Sequence, residues 1–274
     1  MIRARKQFGQ HFLEPAWVDK VIRAIAPQPH ERFIEIGPGA GALTRPLAAR
    51  AQHVLAFEID RDLAADLRAA AIPNVEVVEG DFLGVCEAGT LNPPGTQRPE
   101  PRTSSWRVVG NLPYNVASPI LFKLVDLYSS GAPLTDATVM LQREVADRLV
   151  AGPGSREYGV LSILIGHRAS VEIVLKLPAG AFRPPPKVLS ALVRLRFHPP
   201  DPPVRDPALF EGLVQAVFTR RRKTLANALL AFAPAAAAPP PRLLAAAGID
   251  GGRRPEMLAI AEFARLADCL ASSA

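Results

Sequence analysis

The sequence predicts an α/β fold, with a parallel, doubly wound sheet followed by a small C-terminal helical domain. Three observations predict it. Short apolar runs rich in Val, Ile and Phe alternate with amphipathic segments along the first two thirds of the chain. The 274 residues suffice for one large domain and a small one. A proline-rich break at 198–203 then precedes two helix-like segments, so we place the domains at residues 1–198 and 199–274.

Apolar runs are the predicted strands, and the amphipathic segments are the predicted helices. The strands are Arg32–Ile36, His53–Ile59, Val75–Val78, Arg107–Val109, Thr138–Leu141, Val171–Leu177 and Leu189–Phe197. The helices are Ala42–Arg50, Asp62–Ala70, Ser118–Tyr128, Pro207–Phe232 and Arg242–Leu270. Residues 84–105 are rich in Gly, Pro, Thr and Ser, and we interpret them as an exposed loop without an assigned role.

The composition limits the classes of protein to consider. Hydrophobic residues make up 49% and charged residues 21%, a globular balance. Lys and Arg (32) outnumber Asp and Glu (26), which suits a polyanionic partner but does not require one. Cys86 and Cys269 lack the spacing of a zinc site or a disulfide framework, and no apolar run is long enough to span a membrane. We expect a cytoplasmic protein without a metal site.

A glycine-rich turn follows the first predicted strand. Gly37, Gly39 and Gly41 stand at alternate positions, and Glu35 precedes them. A dinucleotide site prefers GxGxxG, which brings a helix N-terminus up to a pyrophosphate. The observed spacing instead favours a ligand held by amino-acid and ribose groups, such as S-adenosylmethionine, over the nicotinamide cofactor of a dehydrogenase. A tight turn without a ligand is the structural alternative.

Acidic residues follow the next two strands. Glu58 ends the second strand, where a carboxylate can accept hydrogen bonds from ribose hydroxyls. Asp60 competes for that role, but Asp is favoured at a helix N-cap, so we expect it to cap the next helix. Asp81 follows the third strand and can accept from an adenine amino group, although loop aspartates are common without a ligand.

The most specific element is Gly110–Asn115, directly after the fourth strand. Open α/β sheets place ligands at such strand ends. The Asn111 side-chain oxygen and the Leu112 carbonyl can accept both hydrogens of an adenine amine, whose lone pair is otherwise delocalised into the ring. Tyr114 offers a flat face on which the base can stack. The motif predicts methyl transfer to an adenine amine, and a purely structural Asn–Pro turn is the alternative.

Four consecutive cations lie in the predicted helix that begins near Pro207: Arg220, Arg221, Arg222 and Lys223. They cannot all face one side of a helix, because each residue turns by about 100°. We expect at least one or two of them to point to solvent or to phosphate groups, which would make binding to a nucleic acid strongly salt-dependent. A solvated charged face is the alternative.

Over nearly its whole length the chain resembles the KsgA/RsmA type of 16S rRNA dimethyladenosine transferases, in the rRNA adenine N6-dimethyltransferase family. The motifs that carry the resemblance are Lys6–Leu13, Glu35–Gly39, Phe57–Asp60, Asn111–Tyr114, Tyr158–Gly159, Pro184–Val188 and Arg221–Thr224. The resemblance implies a Rossmann-like class I methyltransferase sheet that uses S-adenosylmethionine. It also implies dimethylation of two adjacent adenosines near the 3′ end of 16S rRNA, in the immature small ribosomal subunit, and we expect a monomer.

Transferred by position, the family's cofactor contacts fall on His11, Leu13, Gly37, Gly39, Glu58, Asp81 and Asn111. The target base would lie against Asn111, Leu112 and Tyr114, with Phe182 as a second aromatic wall. Arg3, Arg5 and Lys6 would form a second RNA patch beside the mouth of the site, or simply an ordered tail. The chain departs from the family pattern at His11, where Asn is commoner, at Val160, where Arg often stands, and at Leu189, where Asp often stands.

Three other functions remain open. The 23S rRNA adenine dimethyltransferases of macrolide resistance share the start and the Asn-x-Pro-Tyr motif, but Pro184–Val188 and Arg221–Thr224 favour the small-subunit enzyme. A DNA adenine methyltransferase would need a target-recognition domain, and nothing that resembles one follows the sheet. A ribosome-assembly factor, for which binding matters more than catalysis, is the third.

Overall fold

The computed structural model describes residues 11–87, 91, 105–232 and 239–272. The strands are β1 Phe12–Leu13, β2 Arg32–Ile36, β3 His53–Glu58, β4 Val75–Glu79, β5 Trp106–Asn111, β6 Leu134–Gln142, β7 Ala169–Leu177, β8 Phe182–Arg183 and β9 Ser190–Phe197. The helices are α1 Pro15–Ile25, α2 Thr44–Ala48, α3 Arg61–Ala69, α4 Phe82–Val85, α5 Ala117–Ser129, α6 Arg143–Leu149, α7 Val160–Gly166, α8 Pro207–Thr219, α9 Leu225–Leu229, α10 Pro240–Ala247 and α11 Ile260–Ala271. None of the helices in these ranges is long and apolar enough to cross a membrane.

One sheet carries the site, with its strands in the order β4-β3-β2-β5-β6-β9-β7. The pairs from β4 to β6 are parallel, which confirms the predicted α/β class. The predicted strands Val171–Leu177 and Leu189–Phe197 do extend the sheet, as β7 and β9. β9 pairs antiparallel with β6, a direction that the sequence analysis did not assign. The sheet also places β9 beside β7, and residues 178–189 between these two strands hold only a 3-10 turn and β8, without the helix that usually makes a parallel crossover.

The chain divides into two compact units. One comprises the residues up to Ala146 together with Val171–Phe197, and the other comprises Asp147–Ser170 together with His198–Ala274. One division between the units falls at the proline-rich break near residue 198, and residues 147–170 belong to the second unit. The physical reason is their packing, because α7 lies against α8 and the buried Tyr158 hydroxyl donates to the Leu258 carbonyl at 2.9 Å.

The two long helices predicted for the second unit are each broken. α8 begins after Asp206, whose side chain caps it by accepting from the Leu209 N–H at 3.0 Å, and it ends at Thr219. The next helix, α9, begins only at Leu225. The later segment is interrupted where Gly248 takes the left-handed conformation that ends α10, with a φ of 65°. The expectation of continuous helices was therefore wrong at 220–224 and at 248–259.

A buried ion-pair network ties β5 to β6 and to the segment before β2. The Arg107 side chain is only 12% exposed. Its Nε atom donates to Asp136 at 3.0 Å, its Nη1 atom to Glu31 at 2.8 Å and its Nη2 atom to the Ile25 carbonyl at 2.9 Å. All three guanidinium nitrogens thus have acceptors, which offsets the cost of removing the charge from water.

We expect Arg107→Ala to lower the free energy of unfolding by about 3 kcal/mol, because it leaves the largely buried carboxylates of Glu31 and Asp136 without their cation. Denaturant unfolding followed by circular dichroism measures the loss. Arg68→Ala is the matched control, since its pair with Glu79 is exposed (45% and 40%) and should contribute less than about 1 kcal/mol. Equal losses in the two variants would contradict the role assigned to the network.

Candidate active site

The carboxyl ends of the parallel strands meet at one edge of the sheet and line two adjoining clefts. The clefts enclose about 770 Å³ and about 580 Å³ of empty space, part of which is open solvent. The larger cleft is lined by the predicted residues His11, Leu13, Gly37, Gly39, Glu58, Asn111, Leu112 and Tyr114, and also by Glu35. The smaller cleft is lined by Asp81, Phe82, Asn115 and Ile120 among others. Because both clefts share Gly37, Ile59 and Pro113, one extended ligand can lie across them.

The glycine turn is bound to Glu58 by a backbone hydrogen bond. The Gly39 N–H donates to Glu58 Oε2 at 2.9 Å, and the Asp60 N–H donates to Oε1 at 2.9 Å. Gly39 has a φ of +57°, and a Cβ there would lie 3.1 Å from the Phe12 ring, so a side chain is disfavoured twice. Burial raises the pKa of Glu58, and these N–H donors lower it. Each carboxylate oxygen keeps a lone pair that can accept from a ligand hydroxyl.

Glu35 is a buried acid without a hydrogen-bond partner for its Oε2 atom among the described residues. The buried hydroxyl oxygen of Thr44 also has no hydrogen-bond partner among these residues. Burial raises the pKa of Glu35 to about 7, and the nearby Glu58 carboxylate adds to the increase. A cationic or N–H group of a ligand in the larger cleft would supply the missing donor. The amino-acid ammonium of S-adenosylmethionine has this chemistry, so the residues present fit that cofactor.

The other acidic residues take different roles. The Asp60 side chain accepts from the Asp62 N–H at 3.1 Å, which confirms its predicted role as the cap of α3. Asp81 also caps a helix, because its Oδ1 atom accepts from the Leu83 N–H at 3.0 Å at the start of α4. Asp81 nevertheless lines the smaller cleft, and its second oxygen has no partner in the described part of the chain. The capping role was not foreseen from the sequence.

Asn111 is held with its amide oxygen free. Its Nδ2 group donates to the backbone carbonyl of His11 at 2.6 Å. A carbonyl can only accept, so this bond fixes which end of the amide faces His11 and leaves Oδ1 as an acceptor. Oδ1 has no partner within the described ranges. Next in the chain, Leu112 is buried and its N–H donates to the Met140 carbonyl at 3.2 Å, which leaves the Leu112 carbonyl as a second potential acceptor.

Gly110 allows the strand before Asn111 to lie against its neighbour. A Cβ at this position would lie 2.5 Å from the Ile36 carbonyl oxygen, a backbone atom that cannot move aside. The residue therefore has to be glycine for β5 to pair with β2 up to its end. This pairing places Asn111 directly beside the glycine turn that follows β2.

Tyr114 is restrained by contacts at its hydroxyl and on one face. The hydroxyl lies 2.6 Å from the Ser190 hydroxyl oxygen. The His11 ring stacks on the tyrosine at 5.8 Å between centroids, with 24° between the planes. The Nδ1 atom of His11 lies 2.7 Å from the Pro184 carbonyl, and since a carbonyl only accepts, Nδ1 carries the proton. Burial raises the pKa of Tyr114 and the Ser190 hydroxyl lowers it.

Phe182 lies beside the site but not on its surface. It pairs with Leu13 in the two-stranded β1–β8 ribbon, is only 2% exposed and packs in the core cluster. Among the described residues that line the larger cleft, Phe182 is absent. Its predicted role as a second aromatic wall is therefore not supported by this arrangement and stays a prediction.

The basic cluster is a turn and not part of a helix, because α8 ends at Thr219. Arg221 points inward: its guanidinium pairs with Glu256 and donates to the carbonyls of Ser155 and Arg156, at 3.4 Å and 2.6 Å. Arg220 is exposed and donates to the Asn227 carbonyl at 3.3 Å. The side chains of Arg222 and Lys223 are exposed and have no partner among the described residues. Arg3, Arg5 and Lys6 lie outside the described residues.

Three contributors to the site were given no role there from the sequence: Ser190, the Pro184 carbonyl and Thr44. Ser190 and the Pro184 carbonyl both reach it because β9 runs antiparallel to β6, which no local pattern indicates. Thr44, opposite Glu35, could have been found only as the first residue of a helix after the glycine turn.

Residues 1–272 match the family model of the ribosomal RNA adenine dimethylases. A protein of Anaeromyxobacter dehalogenans named ribosomal RNA small subunit methyltransferase A is 44% identical over 266 residues, covering 97% of this chain and 93% of the relative. A protein of Pseudomonas fluorescens with the same name is also 44% identical, covering 98% of this chain and 94% of its own length.

Solved structures show the same fold. A dimethyladenosine transferase from Plasmodium falciparum has a TM-score of 0.74 and 25% identity, covering 93% of this chain and 96% of its own. The 23S rRNA methyltransferase ErmE has a TM-score of 0.63 and 29% identity, covering 95% of this chain and 99% of its own. Both likenesses extend over more than nine tenths of this chain.

The raised pKa of Glu35 predicts a pH-dependent stability. The folded protein holds the proton up to about pH 7, whereas the unfolded chain releases it near the ordinary pKa of 4.5. The stabilisation is therefore fully present below pH 4.5 and is lost as the pH rises through 7. We expect the free energy of unfolding of the ligand-free protein, relative to Glu35→Gln, to fall between about pH 5 and about pH 7.5. Denaturant titrations at both pH values measure it, and parallel curves for the two proteins would contradict the assignment.

Proposed function

The chain belongs to the ribosomal RNA adenine dimethylase family, and we propose that it dimethylates two adjacent adenosines near the 3′ end of 16S rRNA. It is an S-adenosylmethionine-dependent rRNA adenine dimethyltransferase. The proposal adds the 16S target, the immature small subunit as substrate, a monomeric state and action in the cytoplasm, where ribosomal subunits assemble. Relatives at 44% identity that are named for the small subunit support the choice of target.

The observation that carries the proposal is the fixed amide of Asn111. Because the His11 carbonyl binds Nδ2, the Oδ1 atom is held as an acceptor in the cleft, with the Leu112 carbonyl next in the chain. Two acceptors can bind the two hydrogens of an adenine amine. This draws the nitrogen toward a pyramidal geometry and frees its lone pair for attack. The arrangement is a preorganised electrostatic site, whose members cost no reorganisation at the moment of reaction.

The cofactor, Tyr114 and Pro113 would have the remaining roles in the reaction. When bound, S-adenosylmethionine supplies an electrophilic sulfonium methyl group, so that a new N–C bond forms as the C–S bond breaks and the extra proton leaves to water. Tyr114 offers the ring on which the base stacks, which is worth about 1–3 kcal/mol for a nucleic-acid base. Pro113 fixes the turn and lacks an N–H that would compete for the acceptors. No strong general base is required, since the product is an acidic ammonium.

The cofactor would be held by acids on successive strand ends. Glu58 would accept from the ribose hydroxyls, Asp81 from the adenine amino group, and Glu35 would receive the amino-acid ammonium. Gly37 and Gly39 let the ligand approach the backbone, and His11 and Leu13 close the cleft from the N-terminal side. The supporting observation is that these residues from distant positions line two connected clefts.

A 23S rRNA target is the second candidate, favoured by the fold that the chain shares with ErmE. The identity to ErmE is 29%, against 44% to relatives named for the small subunit. Methyl transfer from labelled S-adenosylmethionine to free 16S rRNA, immature small subunits and 23S rRNA separates the two candidates. Mapping the modified nucleotides by mass spectrometry should find N6,N6-dimethyladenosine at two adjacent positions of 16S rRNA, and modification of 23S rRNA alone would refute the proposed target.

We expect Asn111→Ala to lower the methylation rate by at least about 100-fold, because it removes one of two preorganised acceptors. RNA affinity, measured by filter binding, should change little, since the amine is a small part of the RNA surface. A ribosome-assembly factor without a catalytic role would keep its function in subunit assembly in this variant. Methylation that persists at the wild-type rate would therefore overturn the role given to the Asn111 amide.

The exposed part of the basic turn should bind RNA phosphates. We expect the double variant Arg222→Ala/Lys223→Ala to bind RNA more weakly and to flatten the dependence of log affinity on log salt by about 0.7–0.9 for each phosphate that is no longer neutralised. Arg221→Ala is the contrasting variant, because its guanidinium is bound to Glu256 inside the second unit. It should lower the thermal midpoint more than the double variant does. If the double variant shows the same dependence of log affinity on log salt as the wild type, this turn is not part of the RNA interface.

A further inference from the structure

Ser190 is a buried polar residue to which neither the motifs nor the proposed chemistry gives a task. It is the first residue of β9 and only 1% exposed. It lies opposite Gln142, the last residue of β6, and the adjacent Leu189 carbonyl accepts from the Arg143 N–H at 2.9 Å. Ser190 is therefore held by the sheet itself, and its hydroxyl lies 2.6 Å from the Tyr114 hydroxyl.

We propose that Ser190 is a positioning residue that holds the Tyr114 ring as a fixed stacking surface, and that the second methyl transfer depends on it more than the first. The inference rests on the proposed function. His11 already covers one face of Tyr114, so the target base takes the other face. The Ser190 hydroxyl restrains the far end of the ring, and together the two contacts limit rotation and tilt of that face.

The two transfers differ in how firmly hydrogen bonds hold the base. Before the first transfer the amine has two hydrogens, one for Asn111 Oδ1 and one for the Leu112 carbonyl. The monomethylated amine keeps a single hydrogen, so only one of these acceptors is used in the second transfer. The position of the base then depends more heavily on stacking against Tyr114. A loosened ring should consequently slow the second transfer more than the first.

The experiment removes the same hydrogen bond from either side. Ser190→Ala deletes one hydroxyl, and Tyr114→Phe deletes the other while keeping the ring. The double variant completes a double-mutant cycle, which measures the coupling between the two hydroxyls. Ser162→Ala is the matched control, because Ser162 is also a buried serine whose hydroxyl bonds a carbonyl, that of Arg148, in the other unit. For each protein, rates for unmodified and for monomethylated 16S rRNA substrates are measured together with the RNA KM and the thermal midpoint.

We expect Ser190→Ala and Tyr114→Phe each to lower kcat for the second transfer by about fivefold, the usual worth of one hydrogen bond, with a smaller effect on the first. The ratio of monomethyl to dimethyl product should rise, the RNA KM should stay unchanged, and the double variant should be no slower than either single one. Ser162→Ala should leave that ratio at the wild-type value.

Two kinds of contrary result are distinguishable. If wild-type protein methylates no 16S substrate under the same conditions, the proposed function fails, and with it the premise of this inference. If the wild type methylates but Ser190→Ala slows both transfers equally, the positioning role is overturned. Multiplicative losses of rate in the double variant, or a shifted product ratio in Ser162→Ala, overturn it as well.

Discussion

The antiparallel pairing of β9 with β6 is the constraint on which the site depends. It places the first residue of β9, Ser190, at the carboxyl edge of the parallel strands, opposite Gln142. A parallel β9 would put Ser190 at the other end, about 23 Å away at about 3.3 Å per residue. The preceding residues must then lie over the clefts, where β8 pairs with β1 and the Pro184 carbonyl receives the His11 ring. The direction of β9 thus fixes the positions of Tyr114 and of β1. Through the His11 carbonyl, it also fixes the orientation of the Asn111 amide.

Two buried carboxyl groups in the same cleft are distinguished by their hydrogen bonds. Glu35 and Glu58 are 1% and 4% exposed, so burial penalises the charge of both. Glu58 receives backbone N–H groups on both oxygens, which favours its ionised form. Glu35 has no such donor among the described residues, and its pKa rises to about 7. In the proposed function, Glu58 accepts from ribose hydroxyls, and Glu35 ionises fully when the cofactor ammonium binds beside it.

Much of this arrangement could be predicted from the sequence, because parallel strands end at one edge and their following residues must converge. Glu58, Asn111 and the glycine turn were found for that reason, and Asp60 was identified as a cap from its residue type. The antiparallel pairing of β9 with β6 could not be found, since an apolar run does not show that this strand lies between β6 and β7. The break after Thr219 was missed because Arg and Lys favour helix, while what holds the turn is a tertiary contact from Arg221 to Glu256.

Position 11 holds histidine where the family commonly has asparagine, and the hydrogen bonds at this position are compatible with either residue. The contact that orients Asn111 comes from the His11 backbone carbonyl, which every residue type possesses. The side chain at this position has only to donate one hydrogen bond to the Pro184 carbonyl, and both an asparagine amide and a histidine Nδ1–H can do so. The imidazole adds a flat surface against Tyr114 that asparagine cannot offer. Histidine can therefore make the same hydrogen bond as the commoner residue and adds a contact that restrains the Tyr114 ring, on which we propose that the base stacks.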